Sequence, residues 1–305
     1  MKGERDLGLE RVDPQREEFN KLIERSIKDK LVIKAFRVID RADFIESEEE
    51  RNFAYKNKVI GLGEGSSISE PVLVAEMMEN LYLTGEEKVL EVGTASGYGA
   101  ALLSKCAMEV HTIEYNQNLA QKASERLKKL KIDNVHVVIG DGALGIPGAS
   151  PFDAIIITAA CRDFPPVLVE QLIEGGRILA PIGKDPQSLE LTLGLKMYGR
   201  PFYSKPITHC RFYPLISEEE GGFSNDYLER LFRIKTLLFE SRAKAKGKTL
   251  KEFLQEERET EPKLRDLSDK TIIKLTSIPP GEFDFLSSNL EAFEEEIKRE
   301  SIESI

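Results

Sequence analysis

The spacing of apolar residues divides the chain into three textures. Up to about residue 58 the pattern is charged and helical: Val32, Phe36 and Ile39 recur at helical spacing, and Ile33 joins the same stripe. Gly61, Gly63 and Gly65 then punctuate a predicted loop that continues through Ser66, Ser67, Ile68, Ser69 and Glu70. Pro71 suits the first turn of a helix, where its missing N–H is no loss, and Ser69 or Glu70 precedes it as a cap. That helix is predicted to run through Val74, Ala75, Met77, Met78 and Leu81.

From Lys88 onward, short apolar runs alternate with amphipathic segments. Strands are predicted at Val89–Val92, Val110–Ile113, Val135–Ile139, Phe152–Thr158 and Arg177–Ile182, and helices at Tyr98–Cys106, Leu119–Leu130 and Pro165–Ile173. A continuous apolar run such as Ala154-Ile155-Ile156-Ile157 fits a parallel strand covered on both faces. Strand–helix alternation at this spacing predicts an α/β fold with a doubly wound sheet. Leu189–Leu195 and Pro206–Leu215 read as late strands, the first as an antiparallel edge.

After Leu215 the texture changes again, with Glu218-Glu219-Glu220-Gly221-Gly222 as a boundary. Tyr227, Leu231, Ile234 and Leu238 fit one helix with an apolar face, Leu250, Phe253 and Leu254 a second, and Leu290, Phe293 and Ile297 a third. The expected organisation is a catalytic domain at 1–215, made of a helical part (1–80) and a cofactor-binding core (81–215). An acidic, mainly helical extension follows at 216–305.

The 305 residues and 41% hydrophobic content allow a full core and exclude wholesale disorder. A formal charge of -10 makes nucleic acid a poor partner, and no basic patch offsets it. Cys106, Cys161 and Cys210 are widely spaced, so neither a disulfide framework nor a zinc pattern is expected. The N-terminus has no apolar targeting segment, and no run reaches the ~18 residues of a membrane span, so a cytoplasmic protein is expected.

Chemistry concentrates in Val89-Leu90-Glu91-Val92-Gly93-Thr94-Ala95-Ser96-Gly97-Tyr98. A buried strand enters a glycine-rich turn and then a helix, which lets bare backbone approach a ligand. Such a turn also occurs as a plain strand-to-helix connection. Glu114 closes the next strand, where an acidic side chain can accept from ribose hydroxyls, and Asp141 closes the third within Gly140-Asp141-Gly142. No lysine of a phosphate-binding loop follows the glycines. His111, His136 and His209 each fall in a predicted strand and read as structural, and no metal is expected.

These motifs resemble the protein-L-isoaspartate (D-aspartate) O-methyltransferase family. The likeness spans Ala54-Tyr55, Gly63-Glu64-Gly65-Ser66-Ser67-Ile68-Ser69-Glu70-Pro71, the Val89–Tyr98 stretch, Gly140-Asp141-Gly142 and Pro151-Phe152-Asp153. Gln171-Leu172, Pro181-Ile182-Gly183 and Arg211-Phe212-Tyr213-Pro214-Leu215 continue it, for a coverage of about Val32 to Leu215. The resemblance implies a Rossmann-like sheet that binds S-adenosyl-L-methionine and yields S-adenosyl-L-homocysteine. The methyl group would pass to the α-carboxylate of an isoaspartyl residue in a protein or peptide, and the ester would collapse to a succinimide.

Carried over by position, Glu91, Gly93 and Gly97 would cradle the amino-acid end and ribose of the cofactor, Glu114 would hold the ribose, Asp141 with Gly142 would meet the adenine, and Thr94, Ala95 and Tyr115 would be further cofactor-binding positions. Ser66, Ser67 and Ile68 would line the cofactor side of the entrance, and Ser69 matches the family's active-site serine. Methyl transfer needs alignment more than a base, because a carboxylate is already ionised at neutral pH. A hydroxyl at a helix start suits that task, although Ser69 also reads as an ordinary cap.

Ala95 stands where the family usually has glycine, Val72 and Val74 where some members have histidine, and Cys161-Arg162 where an apolar or proline pair is more usual. The extension, with 15 Lys and Arg against 21 Asp and Glu from residue 217, has no counterpart in the family pattern. Three readings follow: general repair of isoaspartyl proteins, methylation of a dedicated Asp-containing protein or peptide, and a degenerate cofactor-binding scaffold with a partner-recruiting tail. A dedicated partner or self-association through 216–305 belongs to the latter two.

Overall fold

The computed structural model describes residues 13–63, 65–203 and 206–260, together with Lys270 and Ile273. The expected third tail helix at Leu290–Ile297 lies outside the described residues. The chain divides into two compact units that interleave in sequence: 1–140 with 148–156, and 141–147 with 157–305.

The first unit begins with α1 (Pro14–Ser26), α2 (Lys30–Val38) and the short α3 (Glu48–Arg51). Aspartates start the first two helices: Asp13 accepts from Gln15 N, and Asp29 from Leu31 N and Val32 N. Each satisfies backbone donors that a helix start otherwise leaves unpaired. Val32, Phe36 and Ile39 are buried as their spacing predicts.

The glycine segment is not a simple loop. β1 (Ile60–Gly63) and β2 (Ser66–Ile68) form an antiparallel hairpin in which Ile60 faces Ile68, and both are buried. Gly63 (φ 77°) and Gly65 (φ 71°) supply the left-handed backbone of the turn, so the glycines that read as loop punctuation instead close a hairpin. α4 (Pro71–Glu79) follows directly.

The parallel sheet of this unit consists of β3 (Lys88–Val92), β4 (Glu109–Glu114), β5 (Val135–Ile139) and β6 (Phe152–Ile157), linked through α5 (Tyr98–Leu103) and α6 (Gln117–Lys129). Their order is β6-β3-β4-β5, so the chain leaves β3 toward β5 and returns to its other side with β6. That reversal makes the carboxyl end of β3 the switch point where open α/β sheets bind ligands. Val89, Leu90, Ala154, Ile155 and Ile157 have no accessible surface, as expected of strands covered on both faces.

The second unit holds α7 (Pro166–Glu170), β7 (Leu172–Asp185), β8 (Ser188–Met197), β9 (Arg200–Tyr203), β10 (Thr208–Cys210), α8 (Asn225–Ala245) and α9 (Leu250–Thr260). β8 runs antiparallel to β7, β9 and β10. Helix α7 is shorter and β7 longer than the sequence predicts. The apolar Leu172 and Ile173 extend the helical pattern, but Gly175 takes a left-handed φ of 79° that a continuing helix does not allow, and the chain is strand from Leu172. Strand β10 is a fraction of the expected Pro206–Leu215, and Pro214, with no N–H to donate, makes only an isolated bridge with Ala160.

Helix α8 belongs to this same unit. Leu231 and Ile234 are buried, Phe223 just before the helix has no accessible surface, and Lys235 forms a buried ion pair with Asp185 at 2.8 Å. Phe239, Ala243, Phe253, Leu254 and Ile273 form a further small core around α8 and α9. No helix among the described residues is long and apolar enough to cross a membrane.

Candidate active site

The turn after β3 is built by backbone that few side chains tolerate. Gly93 (φ 101°), Ala95 (φ 47°) and Gly97 (φ 86°) all take positive φ. Gly93 N–H donates to Ile113 O at 2.9 Å and Gly97 N–H to Thr94 O at 2.8 Å, which holds the loop against β4. A Cβ on Gly97 would sit 3.3 Å from the Ala123 methyl, so this glycine serves close packing against α6 as well as the turn.

Glu91 lies beneath the turn, 1% exposed. Register places it beside Thr112, whose hydroxyl donates to Glu91 Oε2 at 2.7 Å. The Thr112 and Thr94 hydroxyls are 2.6 Å apart, so a buried polar chain joins Glu91 to the loop. Burial, reinforced by the Glu114 charge and opposed by the Thr112 hydrogen bond, pushes the Glu91 carboxyl up to about 8. At neutral pH it is therefore largely a neutral acid, and it supports the turn from inside instead of standing at its mouth.

Glu114 occupies the mouth. Its Oε2 accepts the Ala95 N–H at 2.9 Å, and its Oε1 accepts the Asn116 N–H at 3.0 Å. A carboxylate has about four acceptor positions, so two remain for a vicinal diol. Tyr115 next to it is 68% exposed. Arg126, on α6, donates to Ser96 O at 2.7 Å and pairs with Glu46 at 2.8 Å, which secures the far side of the turn.

Ser66 and Ser67 are half-buried on β2, with Ile68 buried behind them. Glu70, not Ser69, takes the cap position of α4, and its side chain makes no cap bond. The Ser69 hydroxyl has no hydrogen-bond partner among the described residues, so capping does not occupy it. Its backbone is pinned by Arg41, which has no accessible surface and donates to the carbonyls of Ala54, Lys56, Lys58 and Ser69 at 2.8–3.2 Å. One buried guanidinium thus orders the whole approach to Ser69.

In the second unit, Asp141 caps a short 3-10 turn through Ala143 N at 2.9 Å, and its other oxygen accepts the Ser217 hydroxyl at 2.8 Å. Gly142 is buried. Cys161 is buried, and Arg162 stacks on the Tyr227 ring at 4.8 Å while its N–H donates to Gly221 O. Burial pushes all three thiols up, Cys106 and Cys210 to about 12, so none is a nucleophile at neutral pH.

The family model for protein-L-isoaspartate(D-aspartate) O-methyltransferase matches residues 15–220. The chain belongs to that family. A protein-L-isoaspartate O-methyltransferase of Shewanella amazonensis is 41% identical over 197 residues, 65% of this chain and 92% of the relative. One from Methanoculleus marisnigri is 38% identical over 212 residues, 68% of this chain and 95% of the relative. A solved protein-L-isoaspartate O-methyltransferase superposes with TM-score 0.63 at 28% identity, covering 72% of this chain and 70% of that one. A Plasmodium falciparum protein-L-isoaspartate O-methyltransferase solved with S-adenosyl-L-homocysteine shares the fold, with TM-score 0.57 and 22% identity over 67% of this chain and 99% of that one.

The isoaspartyl methyltransferase match begins within α1, earlier than the Val32 at which the motifs become legible, and leaves 221–305 outside it. Sequence reasoning missed Thr112, Arg126, Arg41 and Ser217. Thr112 carried a signal, a hydroxyl beside His111 inside the predicted strand Val110–Ile113, but its partner depends on strand register. The other three act on backbone or side chains far away in sequence, and nothing local marks them.

Proposed function

We propose that this chain is an S-adenosyl-L-methionine-dependent carboxyl O-methyltransferase that methylates the α-carboxylate of isoaspartyl residues in proteins, the entry step of their repair. The single observation that carries the reading is Glu114, fixed at the switch-point mouth by two backbone N–H groups with acceptor positions left over.

The residues present fit the cofactor. Glu114 would accept from the ribose hydroxyls, with the Gly93–Gly97 turn beside it. Asp141 and Gly142 are proposed for the adenine on the resemblance. S-adenosyl-L-methionine supplies an electrophilic methyl group on a sulfonium. The chain's own task is to hold an ionised carboxylate in line with it, so alignment and exclusion of water account for the catalysis. Ser69, whose hydroxyl has no hydrogen-bond partner among the described residues and whose backbone is fixed by Arg41, is proposed to orient that carboxylate. No proton needs to be removed from it.

Helix α8 is proposed as a brace of the catalytic chain in preference to a recruiting arm, because its Lys235 is spent internally on Asp185. Incubation of the full chain with an isoaspartyl peptide and S-adenosyl-L-methionine tests the reaction by mass spectrometry. A methyl ester followed by a succinimide supports it, and cofactor binding without either product refutes it. Methylation of one aspartyl protein alone would instead favour the dedicated-substrate reading.

A further inference from the structure

Two histidines that read as structural in the sequence meet a carboxylate in the first unit. The two-residue period of a strand puts Glu109 and His111 on one face of β4. Parallel register then sets His136 of β5 opposite His111. Glu109 Oε1 lies 3.1 Å from His111 Nε2 and 3.2 Å from His136 Nε2, and the ligand atoms the three residues offer all lie within 4.8 Å of one another. Around a tetrahedral zinc ion with bonds of about 2.0–2.1 Å, neighbouring ligand atoms stand roughly 3.4 Å apart. Two carboxylate–imidazole separations are already close to that value, and rotation of the half-exposed His136 ring adjusts the rest.

A second observation points to a ligand. His111 Nε2 is buried and has no hydrogen-bond partner among the described residues. It stands 3.1 Å from the Glu109 carboxylate oxygen, an ion-pair contact once the ring is protonated, but outside hydrogen-bond alignment, so the nitrogen of the neutral ring makes no hydrogen bond among the described residues. Buried polar atoms of this kind call for an explanation, and an electron-pair acceptor between imidazole and carboxylate supplies one. The Phe152 ring packs edge-on against His111 at 5.7 Å and fixes its plane. Lys88, paired with Glu109 in the β3–β4 register, is the neighbouring cation that works against a metal. All three cysteines are buried and stand apart from the cluster.

We propose that Glu109, His111 and His136 form a binding site for a divalent first-row transition metal of the zinc class. Two imidazoles and one carboxylate favour such an ion over magnesium or calcium, which prefer all-oxygen sets. The half-exposed His136 leaves a fourth position to water. The ion staples β5, the last strand in the order β6-β3-β4-β5, to β4. His111 precedes Glu114 by three residues, about 10 Å of strand, so the staple and the cofactor carboxylate do not share a ligand.

The test is calorimetric titration of the full chain, freed of any affinity-tag histidines, with zinc chloride. Cobalt(II) absorption reports the coordination. One equivalent should bind, the melting temperature should rise with zinc, and cobalt should give the visible bands of a low-coordinate nitrogen–oxygen site. His136→Gln and Glu109→Gln should each weaken binding about tenfold or more, abolish the thermal shift, and leave S-adenosyl-L-homocysteine affinity unchanged. His136 is half-exposed, so its variant decides the matter even where Glu109→Gln fails to fold. No binding at millimolar zinc, or one equivalent whose affinity His136→Gln retains, overturns the proposal.

Discussion

Replacing Glu114 with glutamine changes one oxygen into an amide NH2 and removes the charge. Both carboxylate oxygens face backbone donors, Ala95 N–H at 2.9 Å and Asn116 N–H at 3.0 Å. Whichever way the new amide turns, its NH2 meets one of those N–H groups, and one accepted hydrogen bond is lost. Hydrogen bonds to charged groups contribute about 1.5–3 kcal/mol. The same change leaves a ribose diol only one good acceptor, so a comparable loss falls on the ligand. At 1.4 kcal/mol per tenfold, the dissociation constant for S-adenosyl-L-homocysteine should rise by about 10- to 100-fold. Glu114 is only half-buried, which favours the lower end. Calorimetric titration of wild type and Glu114→Gln at equal ionic strength measures this directly. An affinity within about threefold of wild type, in a variant whose melting temperature shows it folded, would refute the assignment.

Three other variants test separate parts of the account. Ser69→Ala should lower the methyl-transfer rate on an isoaspartyl peptide while cofactor affinity stays put, and equal loss of both would place the serine in the wrong half of the site. Lys235→Met should destabilise the chain by about 3 kcal/mol in urea unfolding, because it removes the buried ammonium paired with Asp185 at 2.8 Å, and adding Asp185→Asn should recover part of the loss. Glu91 gives a pH signature: its folded value, about 8, lies above the ordinary 4.5, so its contribution is most favourable below that ordinary value. Stability should then fall as pH rises between the two, since the folded state holds the proton longer. Urea unfolding at pH 5, 7 and 9 should show that decline in wild type and a flatter profile in Glu91→Gln; identical slopes would contradict a neutral buried acid.

The parts legible in the sequence are those set by local pattern. Apolar runs mark β3 to β6 to within a residue or two, most plainly β3 and β6, where nearly every position is buried and most are apolar. The glycine turn and Glu114 follow from them. Hairpin β1–β2 was hidden because its glycines read equally as loop, and only the burial of Ile60 against Ile68 decides the matter. Glu91 reads as a ligand at the strand end, yet its side chain turns inward to Thr112, a choice that register makes. The cluster of Glu109, His111 and His136 was invisible for the same reason, since β4 and β5 are joined through α6 and only their alignment brings the histidines together.

The most direct test of the central claim compares initial rates of labelled methyl transfer to an isoaspartyl peptide and to its ordinary aspartyl twin. The account predicts transfer to the isoaspartyl form with little or none to the twin, and dependence on Glu114. Equal rates on both peptides, or no transfer to either by a protein that binds S-adenosyl-L-homocysteine, would contradict it.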